Sequence, residues 1–175
     1  MNYILFFIFI IVFVCSGYAK EPEWLIKLRK LQVLESNKAD VEREFSFPKV
    51  IDASDDAEKE KNGEKYITYQ TKDGVLEVDY STGTCSELNS SFGYDVVSGT
   101  ITEIGFEPKK PVKASLLNFD YDSFKLELVD DMPGLTIYRN LEEDIKINIR
   151  RGNVKSLRFS PSAKYDYLEC GKIKK

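Results

Sequence analysis

Two stretches of this 175-residue chain match each other at fixed offsets, and that internal similarity limits the fold more than any other feature. Gly99-Thr-Ile101-Thr-Glu-Ile104-Gly-Phe106-Glu-Pro108 corresponds to Gly152-Asn-Val154-Lys-Ser-Leu157-Arg-Phe159-Ser-Pro161. Each reads as a strand that leaves a glycine turn and is stopped by a proline, which cannot donate to a ladder. The preceding segments also correspond. Leu76, Val78 and Tyr80 alternate with Glu77 and Asp79, and Ile145, Ile147 and Ile149 alternate with Lys146 and Asn148. Period-two alternation buries one face and wets the other, as in an antiparallel sheet covered on one side. One step further back, 66–69 resembles 135–138.

A helical stretch is expected before each strand set. Asn37 followed by Asp40 forms a capping box, Val41 and Phe45 share a face, and Pro48 ends the helix. In the second copy Asp122 is the cap, Phe124 and Leu128 take the same i, i+4 spacing, and Pro133-Gly134 closes. Trp24, Leu25, Leu28 and Leu31 add another helical turn or two over the sheet. The expected fold class is therefore α+β: two tandem helix-plus-antiparallel-strand repeats (about 34–108 and 119–161) in one domain spanning 20–175. Whether the two sheets join edge to edge or face each other is left open by the sequence. The first copy carries two insertions, a charged one at 51–63 that should not pack and a longer loop at 84–98.

The run from Tyr3 to Cys15 is apolar, and the first charge in the chain is Lys20. It reads as a secretory signal over 1–19 with small residues before the cut, and it falls short of the ~20 apolar residues a membrane span needs. Retention as an anchor and lipidation of Cys15 are the rival readings, and only these two would attach the protein to a membrane. Removal of the signal leaves two cysteines, Cys85 and Cys170. An even pair in an oxidising compartment suggests a disulfide, which in a loop this long stabilises by about 4–5 kcal/mol; the alternative is two unrelated buried thiols. Net charge is −4 and no basic stripe stands out, which argues against nucleic acid as a partner.

The segments Tyr80-Ser-Thr-Gly-Thr-Cys85, Gly93-Tyr-Asp-Val-Val-Ser-Gly99-Thr and Pro161-Ser-Ala-Lys-Tyr-Asp-Tyr-Leu168-Glu-Cys170 resemble an uncharacterised group of exported bacterial proteins, chiefly acidobacterial, over most of 24–170. Both cysteines belong to the motifs of that group, so the resemblance implies a Cys85–Cys170 bridge. It implies no activity. The chain departs from the group at Val97-Ser98, where Pro-Arg is usual, and in its longer acidic insertion. More distantly, the helix-plus-strands pattern is similar in topology to β-lactamase-inhibitor proteins and small outer-membrane assembly lipoproteins, an analogy of fold that does not carry function.

The chain has no histidine, which removes His-activated nucleophiles and the commonest metal ligand. Ser160, Ser162 and Lys164 lack the S-x-x-K spacing of a serine–lysine site, and a turn is the better reading. Asp52, Asp55, Asp56 and Glu58 resemble a calcium loop faintly, but Ala57 stands where that loop needs Gly and Gly63 where it needs the bidentate Glu. Glu142, Glu143 and Asp144 read as a solvated hairpin cap. No phosphate-cradling glycine loop occurs, and no catalytic residue, cofactor or metal is implied. Asn89-Ser-Ser91 matches a glycosylation sequon of no weight in a bacterial protein.

Aromatics are the remaining signal. Phe92 and Tyr94 lie in a Ser-, Gly- and Asn-rich insertion, and Tyr165 and Tyr167 flank the second cysteine. A Cys85–Cys170 bridge would gather these four into a candidate recognition surface, against a plainer reading as a satellite core under a loop. The expected function is a non-enzymatic binding protein of the cell envelope, working in the periplasm or outside the cell, with another envelope or extracellular protein as partner. A small hydrolase or lyase using carboxylates is the alternative, and a ligand-binding pocket between the two halves, with no residue to point to it, is a third reading.

Overall fold

The computed structural model describes residues 20–53, 64–88, 92–128, 132–140, 142 and 144–172. The expected signal peptide, Asp55, Asp56, Glu58, Glu143 and the sequon lie outside them. Among the described residues the strands are β1 (Lys49–Asp52), β2 (Glu64–Gln70), β3 (Gly74–Ser81), β4 (Ile101–Pro108), β5 (Val112–Lys113), β6 (Lys125–Leu128), β7 (Leu135–Asn140), β8 (Ile145–Arg150) and β9 (Asn153–Phe159). They form a single antiparallel sheet in the order β1-β2-β3-β4-β9-β8-β7-β6, with β5 paired to the free part of β9.

The two matched segments are β4 and β9, and they pair with each other, which settles the open choice: the halves join edge to edge. Ile104 faces Phe159, Gly105 faces Arg158 and Phe106 faces Leu157. Residues at equal offsets in the two segments are thus exchanged across the seam, with Gly105 and Arg158 at its centre. Alternation is obeyed on both sides. Leu76, Val78 and Tyr80 are buried while Glu77 and Asp79 are half-exposed, and Ile145, Ile147 and Ile149 are buried while Lys146 and Asn148 are half-exposed. A bulge in each half breaks the period: Thr102 is the extra residue opposite Asp79/Tyr80, and Lys155 the extra one opposite Asn148/Ile149.

The α+β expectation does not hold. The protein is β-rich, and among the described residues the helices are few and short and no helix-plus-strand repeat is formed. Helix α1 (Glu23–Leu28) lies over the sheet as expected, with Trp24 stacked on Phe106 at 4.6 Å between centroids. Helix α2 (Lys38–Glu44) has the Asn37/Asp40 box at its start, yet it runs for only seven residues. The second helix does not form. Asp120, rather than Asp122, caps a single 3-10 turn at Tyr121–Ser123, and the chain enters β6 at Lys125. The reason is that i, i+4 puts Phe124 and Leu128 on one face of a strand as well as of a helix. Lys125-Leu-Glu-Leu128 also alternates, and pairing with β7 satisfies its backbone. Each half therefore contributes four strands to the path rather than three. The extra strand of the first half, β1, starts at Lys49 and takes in Ile51 and Asp52 of the charged insertion as an exposed edge.

Among the described residues only one face of the sheet has a cover. Over the first half α1 and α2 bury Trp24, Leu25, Leu28 and Val41. Over the second half the cover is the irregular stretch 114–124: Leu117 is fully buried, and Phe119, Tyr121 and Phe124 pack with Tyr138 as a ring cluster at centroid spacings of 5.1–6.4 Å. Arg29 ties the two covers together, donating to the Leu117 carbonyl at 3.1 Å with its guanidinium 4.8 Å from the Phe119 ring.

Candidate functional site

Cys85 and Cys170 form a disulfide, their Cα atoms 5.4 Å apart across 85 residues of chain. Cys85 opens a helical turn, α3 (Cys85–Leu88), and Cys170 follows a 3-10 helix at Ala163–Leu168. Backbone bonds flank the bridge: the Asp95 amide donates to the Leu168 carbonyl at 2.7 Å and the Cys170 amide to the Gly93 carbonyl at 3.0 Å. Residues 84–88 and 92–98 and the segment 163–172 are thus one structure at the end of the sheet.

The four aromatics expected to gather there do not share one pocket. Phe92 and Tyr167 stand in solvent, 65% and 68% exposed. Tyr165 is half-buried on the covered side, its hydroxyl donating to Glu35 at 2.9 Å and its ring 4.6 Å from the Lys164 ammonium. Tyr94 lines a groove on the opposite, open face of the sheet. Lys164 and the serines are likewise engaged: Ser162 is buried and Ser160 donates to Glu103 at 3.0 Å. Asp52 is exposed at the edge strand and Glu142 in the β7–β8 turn.

The groove beside Tyr94, about 300 Å³, crosses the seam between the two halves, where the sequence suggested a ligand pocket without naming its residues. Tyr66, Glu77, Asp79, Glu103 and Arg158 line it from four adjacent strands. Its centre is Gly105. Strands lie ~4.8 Å apart, so Glu77 on β3 and Arg158 on β9 start ~10 Å from each other, with β4 between them. Because Gly105 has no side chain, the two lean across it and meet at 3.7 Å. A Cβ there would sit 3.3 Å from Glu77 Oε2. Arg158 also holds Glu103 at 2.8 Å. Burial, and then the nearby Glu77 and Asp79 carboxylates, raise the Tyr66 hydroxyl above its ordinary pKa, so it remains a neutral hydrogen-bonding group. The matched segments did hold a signal for this site: Gly105 and Arg158 occupy the same offset, the one place where a missing side chain in one strand faces a long cation in the other.

From that centre the open face divides by charge. On β3 and β4 it shows Glu77, Asp79, Glu103 and Glu107. Across the seam, successive register partners are Arg158, Lys146, Arg139 and Lys125, one on each of β9, β8, β7 and β6. Among the described residues no group of three or more His, Cys, Asp or Glu is placed to hold a metal ion.

Fold and site together define an antiparallel β-sheet protein, disulfide-closed at one end, with one face covered and the other charged and open. The chain matches no family model, no curated protein and no solved structure. The disulfide is compatible with an exported protein in an oxidising compartment.

Proposed function

We propose that this is an exported, non-enzymatic binding protein of the cell envelope, and that the open sheet face is the surface on which its partner sits. The supporting observation is the seam groove: Tyr66, Tyr94, Glu77, Asp79, Glu103 and Arg158 present rings and both signs of charge on a rigid sheet. A sheet needs cover on one face only, so a second face organised by an ion-pair cluster over a glycine is more than solubility requires. Hydrolysis by carboxylates would call for two of them converging in a cleft that excludes water. Here Glu77 and Glu103 are held by a shared arginine in an open groove. Export is part of the same reading, resting on the apolar segment before Lys20 and on the bridge.

The test uses a chain beginning at Lys20 as bait in an envelope extract, beside the same chain carrying Glu77→Gln and Glu103→Gln. A partner retained by the first and lost by the second supports the reading. Turnover of a small substrate with no partner captured would overturn it. Protein recovered from the native cell should begin at or near Lys20.

A further inference from the structure

At the β8–β9 hairpin, away from the seam groove, lies a second cavity of about 490 Å³ whose titratable lining is entirely cationic. Lys109 enters from the loop after β4, Arg150 and Arg151 from the end of β8 and its turn, and Lys155 from the β9 bulge, with Asn153 between them. All four cations are exposed, and none lies within 4 Å of a carboxylate among the described residues. Lys30, Arg43, Lys72, Arg158 and Lys172 have carboxylate partners within 4 Å, while Lys49, Lys125 and Lys146 on separate strands have none among the described residues; what sets this cavity apart is that four such cations line it together. Clustering four unneutralised cations costs mutual repulsion, which a bound anion removes.

The backbone points the same way. Arg150 pairs with Asn153, so Arg151 and Gly152 form a two-residue hairpin turn, both at positive φ (52° and 74°). Such turns favour Asn, Asp or Gly at the first position, because a Cβ there crowds the carbonyl. An arginine in that position accepts strain that asparagine would avoid. The Lys155 bulge also adds a residue beyond those the ladder needs, bringing one more cation to the cavity.

We infer that this cavity binds clustered phosphate, as a pyrophosphoryl or multiply phosphorylated group. Phosphate rather than carboxylate follows from charge density. A phosphate group carries about −1.5 to −2 at neutral pH, so two such groups balance four cations in a volume where four carboxylates would crowd. Two guanidiniums supply the forked donors that phosphate oxygens accept, and the two ammoniums act as point charges beside them. The phosphate is either free in solution or carried on a lipid headgroup.

Two probes separate those sources: inorganic pyrophosphate, and phosphatidylcholine vesicles containing phosphatidic acid. Calorimetric titration of the disulfide-intact chain from Lys20 at low salt should show saturable binding of one or both, weakening as salt screens the charges. Binding of pyrophosphate alone assigns a soluble ligand, and binding of the vesicles alone assigns a headgroup. Lys109→Gln with Arg150→Gln should weaken binding by about tenfold or more, as expected for lost charge-assisted bonds. Arg151→Asn gives an independent check: its melting temperature should equal or exceed that of the parent while its phosphate affinity falls. Failure of both probes to bind, or affinities unchanged in these folded variants, would overturn the inference. The seam variants Glu77→Gln and Glu103→Gln should leave phosphate binding intact, so this result stands apart from the fate of the open face.

Discussion

The two halves of the sheet contribute four strands each to its main path and mirror each other in order, yet they differ in cover and in charge. The first half lies beneath α1 and α2, with Trp24 and Val41 sealed against it, and its open face is acidic. The second half lies beneath a 3-10 turn and a cluster of rings, and its open face is basic. What the halves share is the alternation of buried aliphatics, which either cover can seal. The comparison teaches that the core tolerates different lids, whereas the polar face is where the halves take separate chemistry.

The largest expected effect comes from cutting the link between the halves. Replacing Cys85 and Cys170 together with serine should lower stability by about 4–5 kcal/mol, less any strain released, as read from urea unfolding. A loss below 1 kcal/mol would mean the backbone bonds around the bridge already hold the two ends. The covers can then be weighed against each other. Trp24→Ala, at a site 4% exposed, should cost about 3–5 kcal/mol, while Tyr121→Ala at the half-buried ring cluster should cost about 1–3 kcal/mol. The reverse order would show the irregular cover to be the stronger of the two.

A smaller effect sharpens the contrast inside the first half. The Tyr69 and Tyr80 hydroxyls bond to each other at 2.9 Å in the core. Tyr80→Phe should cost about 1–3 kcal/mol because Tyr69 loses its partner, and the double phenylalanine variant should recover most of it. Buried tyrosines in both halves set the alkaline limit. Burial, then Tyr138, pushes the Tyr121 hydroxyl up to about 12, and burial raises Tyr69 and Tyr80 as well. These folded pKa values exceed the ordinary 10.0, so the folded state holds its protons longer. Their contribution is full below pH 10 and is lost as pH rises through the folded values. Melting temperature against pH should fall above 10, and Tyr121→Phe should soften the fall. Least of all, Glu103→Gln should change stability by under about 1 kcal/mol, because its bond to Arg158 is partly solvent-exposed.

The alternation of β3 and β8, the capping box of α2 and the glycine turn at 152 were legible because each depends on neighbours in sequence. The second helix gives way to a strand where two periodicities coincide: the Phe124/Leu128 spacing fits both, and pairing with β7 decides between them. The seam groove was harder still, since Glu77, Gly105 and Arg158 are brought together only by the β4–β9 register. The bridge does join the 84–98 loop to the C-terminal segment, but nothing local tells Tyr94 to turn to the open face and Tyr165 to the covered one.

The central claim is that the partner meets the open face, and carbodiimide labelling of carboxylates with and without the captured partner tests it most directly. The account predicts that Glu77, Asp79 and Glu103 lose reactivity in the complex while Glu23 and Glu42, on the helices of the covered side, keep theirs. Shielding of Glu23 and Glu42 with the three open-face carboxylates unchanged would contradict it.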